Sequence, residues 1–300
     1  MKIIKKNICL IAILSGVVGL SACSRDDVPA PDGGMDDGNA IRFTTAIADF
    51  MGSDAADDPD TRAIINDEDG TGSFDAGDET TIRGFIFNST PFVEKEYPAT
   101  YKDGTWTTGM TWDEFDEGAE VSFSAFFPKR SLTDFDENGK MEINLPTDQS
   151  ALEQYAAYDW LYAAAAGTKT DNPIQLTFRH LMHRLTVNLS LSDTPGSLTQ
   201  ADVDAATVVI KNMYAKGLVA KNGAVVAWTI VDVEDFTPLE SAGNTFRVIL
   251  LPQNVTPGTP WIEITVDGKT VTYPVPDGLT ELQGGKEQVV NLALTNSGVN

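Results

Sequence analysis

Apolar and polar residues alternate with a period of two along most of this chain, and this pattern limits the fold more than any other feature. Three segments show it clearly, at 41–47, 141–145 and 185–191. A β-strand points successive side chains to opposite faces, so such segments bury one face and expose the other. Many short strands with Gly and Pro between them are typical of sandwiches and barrels. The sequence therefore predicts an all-β protein.

The most specific local prediction is a hairpin near the C-terminal end of the chain. Segments 262–266 and 269–273 alternate and are joined by Asp267-Gly268. An Asp-Gly pair supplies the positive φ angles that a two-residue turn requires. The alanine-rich stretch 151–166 departs from the alternation, although Trp160-Leu161-Tyr162 within it would suit a strand. There we expect a short helix or an irregular turn that leads into a strand.

The first 22 residues have the layout of a secretory signal. A lysine-rich start precedes the apolar run 8–20, which is too short to cross a bilayer comfortably as a helix. The run ends in Leu20-Ser21-Ala22-Cys23, which resembles the lipobox that lipoprotein signal peptidase reads. That resemblance implies cleavage before Cys23 and acylation of its thiol and its new amine. Several acyl chains would hold the protein firmly to a membrane.

Residues 23–39 are rich in Asp, Gly and Pro, so we expect a flexible tether between the lipid and the folded part. Ser24-Arg25-Asp26-Asp27 also resembles the acidic export signal of Bacteroidota surface lipoproteins, although a solvated linker would have the same composition. We therefore expect a lipid-anchored protein of the outer membrane, exposed at the cell surface.

The rest of the chain is long enough for two domains of ordinary size. We place them at 40–184 and 185–300, because the strand that begins at Leu185 opens a second strand set. The polar loop 192–204 is a rival position for the boundary.

Charge and cysteine content exclude several functions. The formal net charge is −23, so a nucleic acid would be repelled. The two cysteines are Cys9, inside the signal, and Cys23, which would carry lipid. The mature protein would then have no disulfide, zinc–thiolate site or thiol nucleophile.

Candidate metal sites are weak. His180 and His183 are three residues apart in an apparent strand, where they would face opposite sides. Residues 134–139 match the first half of a calcium loop, but the position of the closing glutamate is Leu145, which cannot be a ligand. A turn before the strand at Met141 explains the same residues. We found no catalytic motif, so we expect neither an enzyme nor a bound metal or cofactor.

Five tryptophans leave one alternative function open. They are Trp106, Trp112, Trp160, Trp228 and Trp261. Exposed tryptophans could stack on sugar rings, and the protein would then be a monomeric surface lipoprotein that binds glycans. In a β-sandwich, however, most of them should be core residues.

Several short sequence segments, in this order after the lipobox, resemble the fimbrillin family of Bacteroidales, the subunits and anchors of type V pili. They are residues 41–47, 61–63, 74–78 before the strand 82–87, 121–128, 141–150, 159–163 and 178–181. The second half of the chain matches only in general pattern, including residues 250–253 and the final strand.

The resemblance implies two tandem transthyretin-like β-sandwiches and a structural role in a cell-surface fimbria, in cell adhesion. It also implies a mechanism of assembly. An Arg-specific protease removes the first strand of a subunit, and the terminal strand of a neighbouring pilus subunit fills the groove. A sandwich that lacks a strand exposes unpaired backbone groups and an apolar slot, and an added strand satisfies both.

Carried over to this chain, the resemblance places the cleavage between Arg62 and Ala63, after the acidic loop 49–60. The removed strand would present Ile41, Phe43, Thr45 and Ile47 on one face. A candidate donor is the strand 288–295, whose apolar face would comprise Val290, Leu292 and Leu294. That segment could equally be the last strand of its own domain.

Overall fold

β-Strands make up most of the chain that the structure describes, and the prediction of an all-β protein is confirmed. The structure is a computed structural model that describes residues 38–52, 73–87, 89–192, 198–227, 232–241, 244–295 and 298–299. The strands are β1 (Phe43–Ala48), β2 (Met51–Gly52), β3 (Glu79–Ile86), β4 (Val93–Lys102), β5 (Thr105–Thr108), β6 (Val121–Phe127), β7 (Lys140–Asn144), β8 (Leu161–Gly167), β9 (Ile174–His180), β10 (His183–Leu191), β11 (Thr207–Met213), β12 (Lys216–Ala220), β13 (Val225–Ala227), β14 (Glu234–Phe236), β15 (Leu239–Ser241), β16 (Thr245–Leu250), β17 (Gln253–Asn254), β18 (Pro260–Val266), β19 (Lys269–Pro274), β20 (Glu281–Leu282), β21 (Lys286–Thr295) and β22 (Gly298–Val299).

Helical structure in the described chain is confined to short pieces. The α-helices are α1 (Leu152–Ala156) and α2 (Gln200–Asp204), and 3₁₀ turns lie at Trp112–Glu114, Leu132–Asp134 and Lys169–Asp171. Helix α1 followed by β8 is the short helix and strand expected from the alanine-rich stretch. None of the described helices is long and apolar enough to span a membrane.

Seven strands form a closed sheet in the order β1-β5-β4-β3-β6-β8-β9. Each successive pair is antiparallel except β9 and β1, which run parallel and close the sheet. Aromatic side chains fill the interior. Phe43 meets Phe123 edge-on with ring centroids 5.1 Å apart, and Phe74 packs at 4.9 Å from Trp106. These residues belong to the first hydrophobic core.

The second core lies among the remaining sheets. The largest has the order β15-β16-β10-β21-β2, with β22 also paired to β21. A sheet of β14-β11-β18-β19, a sheet of β13-β12-β7 and the pair β17-β20 complete this part. Leu185, Ile249, Trp261 and Leu292 are among the buried residues of this core.

The hairpin predicted around Asp267-Gly268 is confirmed. Strands β18 and β19 pair continuously from Ile262↔Tyr273 to Val266↔Lys269. Asp267 and Gly268 have φ angles of 49° and 67°, as a tight two-residue turn demands.

The two cores share chain segments across the predicted boundary. Strand β7 comes from the predicted first domain, yet it pairs with β12, and Ile143 packs in the second core. Strand β10 begins at His183 and pairs with β16 and β21 along its length. By its contacts, the chain from Gly38 onward forms one compact unit. The division at 184/185 and the transthyretin-like arrangement of each half stay predictions.

The expectation that both histidines lie in one strand is wrong. Strand β9 ends at His180 and β10 begins at His183, with Leu181 and Met182 between them. Both side chains are buried. The Nδ1 of His180 lies 2.7 Å from Asp159 Oδ1, and the Nδ1 of His183 lies 3.0 Å from the carbonyl oxygen of Gln283.

The acidic loop before β7 forms a turn held by its own hydrogen bonds. Asp136 Oδ1 accepts hydrogen bonds from the backbone N–H groups of Asn138 and Lys140, at 2.9 and 2.8 Å. Gly139 has a φ of 68°, which suits the bend. The turn before the strand at Met141 is therefore observed.

Burial of His183 generates a prediction for the pH dependence of stability. Burial lowers the pKa of His183 from 6.5 to about 4. Between those pH values the unfolded chain binds a proton that the folded chain does not, so stability falls as the pH drops from 6.5 to 4, by up to about 3 kcal/mol. Urea unfolding at a series of pH values should show this slope. His183→Gln should flatten it, and an unchanged slope in that variant would assign the effect to other groups.

Candidate functional site

The candidate site is the N-terminal segment, residues 38–52, together with the groove that holds its strand β1. Strand β1 lies between β5 and β9 in the closed sheet. It pairs with β9 over its whole length, from Phe43↔Ile174 to Ala48↔Arg179, and with β5 at Phe43↔Trp106 and Thr44↔Thr105. The space between β5 and β9 that holds this strand is called the β1 groove.

Backbone bonds continue N-terminal to β1. The N–H of Ile41 donates to the carbonyl oxygen of Met110 at 3.0 Å, and Arg42 N–H donates to the side-chain oxygen of Asn172 at 2.9 Å. Asn172 also donates from Nδ2 to the carbonyl oxygen of Ala40 at 2.9 Å. The β1 groove thus holds the N-terminal segment through backbone hydrogen bonds on both sides.

The side chains of the predicted strand face do not fill the groove equally. Ile41 is 2% exposed and Phe43 is fully buried. Thr45 and Ile47, on the same face, are only half-buried. The groove is therefore deep and apolar at its start and shallower toward the end of β1.

Beyond β1, the segment crosses to the second sheet. Met51 N–H donates to the carbonyl oxygen of Gly285 at 2.9 Å, and β2 pairs in parallel with the start of β21. Phe50 lies between these two attachments. Its ring stacks on His180 with centroids 3.8 Å apart, and the guanidinium carbon of Arg184 lies 4.4 Å from its centroid.

The residues that contact Phe50, His180 and Arg184, form its seat and are themselves held in place by polar contacts. His180 is hydrogen-bonded to Asp159, and Arg184 Nη2 lies 2.9 Å from Glu287 Oε2. Thr186 also donates to Glu287, at 2.6 Å. Burial alone would raise the pKa of Glu287, but Arg184 and Thr186 outweigh it, and the pKa lies below its usual value. A fixed aromatic and cationic seat of this kind favours a stacked ring.

The N-terminal segment is thus attached to both cores, and sequence reasoning found only half of the attachment. It identified β1 by its alternation but missed Phe50 and β2. Phe50 lies outside the alternating stretch, and its partners His180 and Arg184 are far away in the chain. The sequence feature that could have indicated this contact is a large aromatic residue, Phe50, two positions after β1.

Three predicted site residues lie outside the described part of the chain. Cys23, Arg62 and Ala63 fall within 1–37 and 53–72. The described residues stop at Gly52 and resume at Ser73, so in the sequence the predicted cleavage position lies between the N-terminal segment and the rest of the protein.

The candidate donor residues lie in β21. Val290, Leu292 and Leu294 share one buried face, at 6%, 2% and 1% exposure. Strand β21 pairs in parallel with β10 over eight residue pairs and with β2 on its other side. In this structure it is therefore a strand of its own half of the protein, which was the alternative left open from the sequence.

Tryptophans in the described chain are buried. Trp106, Trp112, Trp160 and Trp261 are all at most 6% exposed, and Trp228 lies outside the described residues. Large exposed aromatic side chains are found instead at Phe87 and Phe92, around the β3–β4 turn. The tryptophans described here thus lend no support to a glycan-stacking site.

Fold and site together define a class: an all-β protein with two cores, in which an N-terminal strand completes the first core. A family model described as fimbrillin-like matches residues 61–300. The chain belongs to this fimbrillin-like family, and the resemblance drawn from its sequence is confirmed. No match is found among curated proteins.

Solved structures with the same fold come from Bacteroides species. A candidate cell adhesion protein from Bacteroides uniformis aligns with a TM-score of 0.62 and 18% identity, over 88% of this chain and 96% of that chain. One from Bacteroides ovatus gives a TM-score of 0.58 and 14% identity, over 87% and 94%. A third, from Bacteroides thetaiotaomicron, gives 0.52 and 17%, over 85% and 92%. At these identities the likeness shows the fold.

The seat of Phe50 generates a prediction. Phe50→Ala should lower the free energy of unfolding by about 3 kcal/mol, because it removes a buried ring and leaves a cavity beside two polar groups. The neighbouring Met51 is 58% exposed, and Met51→Ala should change it by no more than about 0.5 kcal/mol. Urea unfolding of both variants measures the difference. Equal effects would mean that Phe50 does not anchor the segment.

Proposed function

We propose that this protein is a structural subunit of a cell-surface fimbria, in cell adhesion, that assembles by exchange of its first strand. The observation that carries the proposal is that β1 completes a closed sheet while the chain connecting it to the body contains Arg62. Cleavage there would leave the N-terminal segment held by non-covalent contacts alone. Family membership supports the same function, because the family is fimbrillin-like. We propose no enzymatic activity for it.

Loss of the N-terminal segment would create a site for another strand. β5 and β9 would become free edges, with backbone N–H and C=O groups along β9 unpaired from Ile174 to Arg179. The apolar space of Ile41 and Phe43 would open to water at the same time. An added strand with alternating apolar side chains restores both the hydrogen bonds and the burial.

The same loss would change the surroundings of the candidate donor strand. β2, on the N-terminal segment, is one neighbour of β21, so its departure exposes the Lys286–Glu287 end of β21. Phe50 would also leave the seat beside Arg184, which binds Glu287 of β21. One cleavage would therefore open the acceptor groove and loosen one end of the candidate donor. Full donation still requires β21 to separate from β10.

We further propose that the lipid on Cys23 is a transit device. It would hold the unassembled subunit at the outer membrane and expose it at the surface. Cleavage after Arg62 by an Arg-specific protease would then remove the lipid together with the N-terminal segment. The partners of the mature protein are other pilus subunits, whereas an uncleaved copy would remain an anchor.

One experiment tests the cleavage and the fate of the lipid together. Cells expressing the full chain are labelled with radioactive palmitate, and the surface protein is then treated with an Arg-specific protease. We expect the label to move from the full-length protein to a short N-terminal fragment, and unlabelled protein to form SDS-resistant ladders.

Arg62→Lys is the matched control, because it keeps the charge but is not a substrate for an Arg-specific protease. That variant should keep its label and form no ladder. Ladders from Arg62→Lys, or a wild-type protein that is cut without polymerising, would contradict the proposed assembly.

A further inference from the structure

A pocket lies beside the C-terminal end of β1, where the side chains of this strand are least buried. Its volume is about 460 Å³, and its lining is mainly apolar. Its lining includes Ile47 of β1, Phe74 and Leu161 of the first core, and Leu152 and Ala156 of α1. Pockets of this size hold a drug-sized apolar group. Ile47 borders the space without filling it.

The strand already in the groove shows what kind of occupant the pocket accepts. Positions 41, 43, 45 and 47 of the N-terminal segment share the inward face, so the pocket is the last in a row of side-chain positions along one strand. Pairing of β1 with β9 continues beyond Ile47, to Ala48↔Arg179. The backbone is therefore held in register at the pocket, and a longer side chain at position 47 would point into it.

A second observation also indicates that β1 is an imperfect occupant. The hydroxyl oxygen of Thr45 is buried with no hydrogen-bond partner in the part of the chain that the structure describes. A buried hydroxyl without a partner is destabilising, whereas an apolar residue of similar shape is not. Thr45 and Ile47 are thus poorly matched to the groove, whereas Ile41 and Phe43 on the same face are well matched.

We propose that this pocket is a specificity subsite for the strand of an incoming subunit, which carries a bulky apolar side chain where β1 has Ile47. The proposal rests on the strand-exchange function above and adds the partner's chemistry. Because the incoming side chain buries more apolar surface than Ile47, replacement of β1 is favoured over its return. Asp78 and Glu153 border the pocket, so an acidic side chain at that position is disfavoured.

The first test uses the uncut chain and needs no protease. Ile47→Trp should fill the pocket and raise the melting temperature by about 3 °C, and Ile47→Ala should lower it by a similar amount. Thr44→Trp, on the outward face of the same strand, is the matched control and should give no increase. A melting temperature that does not rise in Ile47→Trp overturns the inference that the pocket accepts a bulky side chain.

The second test measures selection of a partner strand. The full chain is cleaved at Arg62, which leaves its own N-terminal segment bound, and it is titrated with fluorescent peptides of sequence 40–52, either unchanged or carrying Ile47→Trp, that displace this segment. The substituted peptide should bind at least about tenfold more tightly. Ala156→Phe fills the pocket from the α1 side and should abolish this difference while leaving the unchanged peptide bound.

The outcomes separate the two proposals. Equal affinity of the two peptides overturns the subsite. If neither peptide binds the cleaved protein, strand exchange itself fails, and the melting temperatures of the uncut variants still decide whether the pocket accepts the larger side chain.

Discussion

The pairing of β1 with β9 and β5 is the interaction on which the first core depends. It closes a seven-stranded sheet, and it buries Ile41 and Phe43 against aromatic side chains from distant strands. A strand held on both sides is ordinarily a permanent part of a fold. Here its covalent connection to the rest of the fold runs through residues 53–72, which contain Arg62. Cleavage of one peptide bond there would leave the strand held by non-covalent contacts alone.

The contacts after β1 would make the proposed removal of the N-terminal segment a single event that involves both cores. Phe50 inserts beside His180 and Arg184, and β2 pairs with β21. The ion pair between Arg184 and Glu287 connects this seat to β21. Departure of the N-terminal segment would therefore remove contacts in both halves of the protein. Such coupling would suit the proposed strand exchange, in which a subunit accepts one strand and offers another.

Local features were predictable from the sequence, and long-range ones were not. The Asp267-Gly268 hairpin depends on neighbouring residues and turn chemistry, so its signal is fully present in a short segment. The break between β9 and β10 was missed because Leu181 and Met182 are apolar and neither is Gly or Pro. No turn residue therefore marks the break between the two histidines in the sequence.

In the candidate site, too, the local features were predictable from the sequence and the long-range contacts were not. The inward face of β1 followed from period-two alternation, but the parallel pairing with β9 joins residues about 130 positions apart and has no local signal. Likewise, β7 joins the second core through pairing with β12. The seat of Phe50 and the pocket at Ile47 arise where several segments meet, and only a three-dimensional structure brings those segments together.

The central claim is that β1 must leave its groove before subunits join, and a reversible cross-link tests it most directly. Thr44 and Thr105 are opposite each other on the outward face of β1 and β5, at a spacing that a disulfide can bridge. In the double variant Thr44→Cys/Thr105→Cys, cleavage at Arg62 under oxidising conditions should yield no ladder, and reduction should restore it. Polymerisation of the oxidised, cleaved protein would contradict the account.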